Sequence, residues 1–472
     1  MRLGVKGLVA SFVLAGVVAL TSCSGGSAAK SMLPTIANAQ SAAVTVNVGD
    51  SPDDRVAALE VTIASISLIN DSGTAIPVLT SPIQIELRHL AGTFRPISLS
   101  SVPAGTYIQA SVQLSAAEIN VLDPATGLLV EKNLPVPSSP ITIKFASPLV
   151  LTTQAATVNL DFNLSSSVSI DAAGNITFSP TVIATTGMVR PDNDNENEAE
   201  EGEIEEVVGA VTDVSSPSFT IMLGQGPQKL TFLTNTSTEF KDVGSLSAIM
   251  KGTIVEVHGV TQSDGTLLAT KVEVEVEDEN EQEAEAEGLV VSTTGTPLTQ
   301  FAVLVRDRSG DSSKSSPLGT TLTVNVNSNT NFTVDSDGFD LSKLSFTPVF
   351  DANSLAKGQN VEAEMDSHEI EAEDEHSGSM AITANKVRLK QQAATGTVSE
   401  LTQNGNVSSF TLTVASDSVF AMLAGQTAIS VVGQASTEVK ATLANGGTVQ
   451  VRGLLFFSSG KYTLVADRVT QP

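Results

Sequence analysis

The sequence predicts an all-β protein of several domains: an N-terminal immunoglobulin- or transthyretin-like β-sandwich followed by three small OB-like β-barrel repeats. Three observations carry this expectation. Apolar residues recur with period two over short stretches, turn residues separate those stretches, and one block of pattern recurs three times toward the C-terminus. A chain of 472 residues has room for several separate cores.

The chain opens with Arg2 and Lys6, an uncharged apolar run from Gly7 to Leu20, and then Thr21-Ser22-Cys23. A basic start, a short apolar core and small residues before a cut describe a secretory signal peptide over residues 1–22. The run is shorter than the ~20 residues of a membrane-spanning helix. The Leu20-Thr21-Ser22-Cys23 ending resembles the lipobox of bacterial lipoproteins, which implies lipidation of Cys23 as the new N-terminus. The alternative is a cut after Ala39 or Ala42. Cys23 is the only cysteine, so its acylation would exclude disulfides, thiolate catalysis and cysteine-metal sites. Residues 23–43, rich in Ser, Gly, Ala and Gln, read as a flexible tether. Ser24 follows Cys23 with no Asp beside it, which favours anchoring at the outer membrane in a host with two membranes.

Between residues 44 and 186 the alternation is clear at Val158, Leu160, Phe162, Leu164, at Ile83, Ile85, Leu87, at Ile108, Ala110, Val112, Leu114 and at Ile141, Ile143, Phe145. Leu59, Val61 and Ile63 share one phase and Ile66 and Leu68 the next, which predicts a β-bulge between them. Asn70-Asp71-Ser72-Gly73, Asp123-Pro124 through Gly127, and Asp171 through Asn175 supply the turns. Many short strands at this spacing predict an antiparallel sandwich.

An acidic linker is expected over 187–206. The first repeat, 207–277, runs Val208-Gly209-Ala210-Val211, Ser218-Phe219-Thr220-Ile221, Ser237-Thr238-Glu239-Phe240, Lys251 through Gly259, and Gly265 through Glu273. After a second acidic linker, 278–286, the order recurs in 287–390 from Glu287-Gly288-Leu289-Val290 to Ile382 through Val387. It recurs again in 394–472, from Thr395-Gly396-Thr397-Val398 to Leu464 through Val469. Five strands with a short helical turn near Leu246 to Met250 suit a small barrel, whose closure removes bare edges. The second copy carries an additional polar loop from Arg306 to Leu318 and an acidic hairpin from Glu362 to Glu375.

On Val46 through Pro52, Val61-Thr62-Ile63 and Pro103 through Tyr107, the first domain resembles the bacterial domain of unknown function family 4382. On Gly-x-Val, Ser-Phe-Thr, Gly-x-x-Val-x-Val-x-Gly and Ala-x-x-Val, the repeats resemble domain of unknown function family 5666; Gly446-Gly447 alters the spacing in the third. The resemblance implies an envelope lipoprotein and brings no catalytic motif to carry over.

Lys+Arg 25 against Asp+Glu 52 gives a net charge of −27, which repels phosphate backbones and argues against nucleic acid as a partner. Trp is absent and only Tyr107 and Tyr462 carry phenols, so stacking platforms for sugars are scarce. Three acidic runs stand out: Asp192 to Glu206, Glu273 to Glu287, and Glu362 to Glu375. Solvated spacers are the plain expectation. The sharper one is a weak Ca2+ site on Asp192, Asp194, Glu196, Glu198 and Glu203, although Asn197 stands where a calcium loop wants Gly. His368 and His376 are a further candidate metal pair. His89 and His258 stand alone and read as structural. No Gly-x-Ser-x-Gly, His-Glu-x-x-His or phosphate loop is present, and a paired-carboxylate hydrolase has no visible cleft. The expected function is noncatalytic: a membrane-tethered binding or scaffolding module for an envelope protein or glycan. A calcium-responsive envelope protein and a carboxylate-based hydrolase are the alternatives.

Overall fold

The computed structural model describes residues 40–171, 174–188, 203–223, 229–241, 243–274, 283–310, 317–336, 338–366, 382–404 and 407–471. The expected signal peptide and Cys23 lie outside these residues. So do the candidate metal ligands Asp192, Asp194, Glu196, Glu198, His368 and His376, and the side chain of Glu203.

The N-terminal module contains β1 (Ser41–Ser51), β2 (Val56–Asn70), β3 (Ala75–Leu79), β4 (Ile83–Glu86), β5 (Phe94–Pro103), β6 (Gly105–Leu122), β7 (Leu129–Asn133), β8 (Ile141–Leu151), β9 (Ala156–Asn163), β10 (Val168–Ile170), β11 (Ile176–Phe178) and β12 (Val182–Met188). One sheet runs β12-β9-β1-β5; a second runs β3-β2-β6-β7, with β4 on β2 and β8 on β6. Both contribute to one core. Val44, Val46 and Val48 of β1 and Val158, Leu160 and Phe162 of β9 join Leu59, Val61, Ala110 and Val112 of the other sheet. The register of β2 against β6 shifts at Ile63/Ser65, where the change of apolar phase places the bulge. The expectation of a purely antiparallel module is corrected at β1, which pairs antiparallel with β5 but parallel with β9. The chain reaches β9 only after completing the second sheet, and that long excursion permits a parallel return. Ser41–Ala43 already belong to β1, and Ala42 is buried.

Three segments follow with one pairing order. The first has β13 (Glu203–Ser215), β14 (Ser218–Leu223), β15 (Lys229–Leu233), β16 (Glu239–Lys241), β17 (Ile254–Thr261) and β18 (Leu267–Val274). The second has β19 (Glu283–Gly295), β20 (Leu298–Gly310), β21 (Thr321–Asn325), β22 (Asn331–Val334), β23 (Asn360–Asp366) and β24 (Ile382–Leu389). The third is a closed five-strand barrel of β25 (Gln391–Asn404), β26 (Val407–Thr413), β27 (Ala428–Val439), β28 (Thr448–Ser458) and β29 (Lys461–Thr470). In each, the first strand pairs antiparallel with the second and with the penultimate strand. The third strand pairs parallel with the last. The first two segments return on themselves through β15–β18 and β21–β24, which rolls each sheet into a barrel.

Residues 40–472 form one compact unit. The modules pack against one another: Leu454, Phe456 and Val465 of the third barrel lie in the core of the second. Ala57, Ala58 and Leu122 of the N-terminal module meet Leu289 and Leu304 of the second barrel and Val419 and Leu423 of the third in one apolar cluster. The β17–β18 turn docks on the N-terminal module, Ala155 N–H donating to Ser263 O at 3.2 Å. Gly265 is required at that turn. Its φ is +86°, and a Cβ would stand 2.1 Å from the Cβ of Ala43.

Candidate functional site

The charged residues of the acidic runs do not all face water. Glu273 lies in β18, Glu285 and Glu287 in β19 and Glu362 in β23, and all four are buried. Strand alternation puts Ala286 and Val361 in the core of the second barrel and Glu285, Glu287 and Glu362 on the opposite face. That opposite face meets another module instead of solvent. Residues 283–286, expected in the second linker, belong to β19.

Lys390 is the centre of one half of this seam. Its side chain is 2% exposed, and its Nζ lies 2.9 Å from Asp335, 3.7 Å from Glu256, 3.8 Å from Glu362 and 4.0 Å from Glu287. Glu256 comes from the first barrel and the other acids from the second. Glu256 and Glu273 stand directly opposite each other on β17 and β18, a repulsive pairing. Lys271 relieves it, 3.9 Å from the one and 2.8 Å from the other, and Arg388 reaches Glu273 across the barrel boundary at 3.5 Å. Burial drives Glu362 well above the usual carboxylate range and Glu285 adds to the rise, against Lys390 and Arg388.

The other half joins the N-terminal module to the second and third barrels. Glu86, at the end of β4, accepts from the backbone N–H groups of Leu59, Arg88 and His89 and so fixes the helical turn Arg88–Leu90. That turn aims Arg88 inward and His89 at the second barrel. Arg88 lies 4.0 Å from Asp50 and 3.3 Å from Asp54. The Asp54 carboxylate accepts from Thr395 N–H at 2.8 Å, and its carbonyl from Val419 N–H at 2.7 Å, both in the third barrel. His89 is clamped between modules, Nδ1 at 3.4 Å from Glu287 and Nε2 at 3.3 Å from Asp307. Arg95 donates to Asp307 at 2.6 Å, and Arg306 donates through Nε to Ala57 O at 2.9 Å. The additional loop thus begins later than expected, because Arg306 and Asp307 are interface residues of β20.

Electrostatics follow from burial. Desolvation raises Asp50 well above its usual range, and Asp161, Glu86 and Asp54 add to it against Arg88. Desolvation also raises Glu86 and Asp54, although Arg306 and backbone donors oppose it at Glu86 and Arg88 and Thr395 at Asp54. Arg306 falls to about 10 because its guanidinium has lost water. Burial would lower His89, but Glu287 and Asp307 outweigh it and hold the imidazole above 6.5. Both oxygens of Asp50 and the Nε and Nη1 of Arg88 are buried without a hydrogen-bond partner, an arrangement suited to bridging water.

Among the described residues no set of three or more His, Cys, Asp or Glu side chains converges as a metal site. His89 and His258 are not isolated: His258 Nε2 lies 2.9 Å from Glu256. Tyr107 and Tyr462 are buried, and their hydroxyls donate to Pro103 O and Lys357 O at 2.8 Å and 2.6 Å. Asp50, Arg88, Arg306 and Lys390 had no sequence motif. The available signal was the charge alternation of Glu362 and Glu364 against Lys386, Arg388 and Lys390.

Fold and seam define a multi-module β-protein whose charged residues join modules. The family model described as Domain of unknown function (DUF4382) matches residues 41–180, and that described as Domain of unknown function (DUF5666) matches residues 208–273. No curated protein matches the chain.

Proposed function

We propose that the chain is a noncatalytic, lipid-anchored protein of the bacterial cell envelope, held at the outer membrane through Cys23. Its modules act together as one scaffold or binding body for an envelope protein or glycan. The observation that carries this reading is the fusion of four β-modules through a shared apolar cluster and a buried ionic seam. Fusion of that kind fixes the relative placement of outer surfaces, as scaffolding requires. It also engages His89, Lys390 and their carboxylates in holding modules together. In this reading the N-terminal module is an immunoglobulin- or transthyretin-like sandwich. The three segments with a common pairing order are OB-like repeats of the 5666 type, and the residues between Cys23 and β1 are the tether.

Fractionation of cells expressing Cys23→Ala tests the anchor. The variant is expected in the soluble fraction while the unaltered protein sediments with membranes. Membrane-bound Cys23→Ala protein overturns the lipid-anchor reading, and turnover of glycan or peptide substrates by purified protein overturns the noncatalytic one.

A further inference from the structure

His89 lies where the N-terminal module meets the second barrel, and charges surround it from every packed element. Glu287 of β19 and Asp307 of β20 touch its two nitrogens. Arg95 of β5 shares Asp307, and Lys390 lies at the far side of Glu287. Glu86 and Arg88 belong to its own turn, with Asp50 and Asp54 of the same module behind Arg88. Arg306 of β20 donates to Ala57 O. From the third barrel, Arg452 and Arg468 donate to Ala91 O and Gly92 O at 3.4 Å and 3.1 Å, one turn further on. The cluster on the His89 side therefore holds Asp50, Asp54, Glu86, Glu287 and Asp307 against Arg88, Arg95 and Arg306. The two groups that touch His89 are both carboxylates, and a proton on His89 supplies a positive charge between these acids of the opposite module.

We propose that this seam is a proton-operated latch, which keeps the N-terminal module docked on the second barrel at mildly acidic pH and loosens that docking as the pH rises past neutrality. The geometry gives it this sense. Undocking hydrates His89, Glu287 and Asp307 together, so the charged imidazole loses both partners and the carboxylates lose the cation between them. The direction of each titration agrees. A raised imidazole stabilises docking fully below 6.5, and that stabilisation is lost as pH climbs through the raised value. The raised Asp50, Asp54 and Glu86 likewise favour the docked form at low pH and cost most when ionised. Asp307 is the exception. Burial opposes its ionisation, but Arg95 and His89 lower it, so its contribution is lost only below 3.8. Docking is thus strongest in the mildly acidic range.

Small-angle scattering of the purified protein at pH 5.5 and pH 8.5, with urea titrations at both, tests the latch. The radius of gyration should be larger and the first urea midpoint lower at pH 8.5. The part coupled to the single proton on His89 changes the docking equilibrium by at most about tenfold per pH unit. His89→Arg, a permanent cation, should remain compact at both values. His89→Gln should resemble the alkaline form already at pH 5.5. Identical scattering and urea midpoints for the unaltered protein at the two pH values overturn the proposal, as does a pH dependence that survives intact in His89→Arg. If His89→Gln does not fold, the unaltered protein and His89→Arg decide the matter between them.

Discussion

At the scale of a residue, Lys390 shows why buried charge is a matter of partners. An ammonium at 2% exposure is tolerable because Asp335, Glu256, Glu362 and Glu287 lie within 4.0 Å of it. Removing it leaves those carboxylates facing one another in a poorly hydrated seam. Breaking a buried pair from one side costs about 3–5 kcal/mol, and Lys390→Ala is expected in that range by urea unfolding near neutral pH. Much of the loss should be recovered at pH 5, where Glu362, whose neutral form burial already favours, takes up a proton and relieves the repulsion. Equal destabilisation at both pH values would mean that Lys390 acts through packing of its alkyl stem alone.

At the scale of an element, β23 and β24 carry the contrast between what alternation reveals and what it hides. Val361, Ala363 and Met365 face the core and pair across the sheet with Leu389, Val387 and Ala384, as a period of two requires. Glu362 lies opposite Arg388, and Glu364 opposite Lys386 at 2.7 Å. The sequence made the strands, the turns and the bulge of β2 legible because each is encoded within a few neighbouring residues. It did not make the seam legible. Polar residues on one face of a strand look the same whether they meet water or another module, and Glu256, Glu287 and Lys390 are far apart in the chain. His89 read as isolated for the same reason. A charge-reversal cycle tests the ladder at its more exposed end. Glu364→Lys and Lys386→Glu should each cost about 0.5–1 kcal/mol, with the double exchange restoring most of the loss. Additive losses in the double variant would show that the cross-strand pair contributes nothing by itself.

At the scale of the whole molecule, a net charge of −27 works against compactness, and apolar contact between modules must offset it. The cluster of Ala57, Ala58, Leu122, Leu289, Leu304, Val419 and Leu423 is where three modules meet. Leu304, fully buried on β20, belongs to that cluster and not to the interior of its own barrel. Leu304→Ala should cost about 2–5 kcal/mol, as large-to-small changes in cores do. Its distribution separates two pictures of the protein. For independent domains the loss would be confined to the second barrel. For modules that share a core, hydrogen exchange read peptide by peptide should quicken also in β2 and β6 of the N-terminal module and around the helix Val419–Ala424 of the third barrel. Leu412→Ala, inside the third barrel, is the control, because its side chain belongs to that barrel's cluster and not to the one the three modules share. Exchange that quickens in the second barrel alone after Leu304→Ala would make the shared cluster a passive contact, and the scaffold would then be a set of separately stable units.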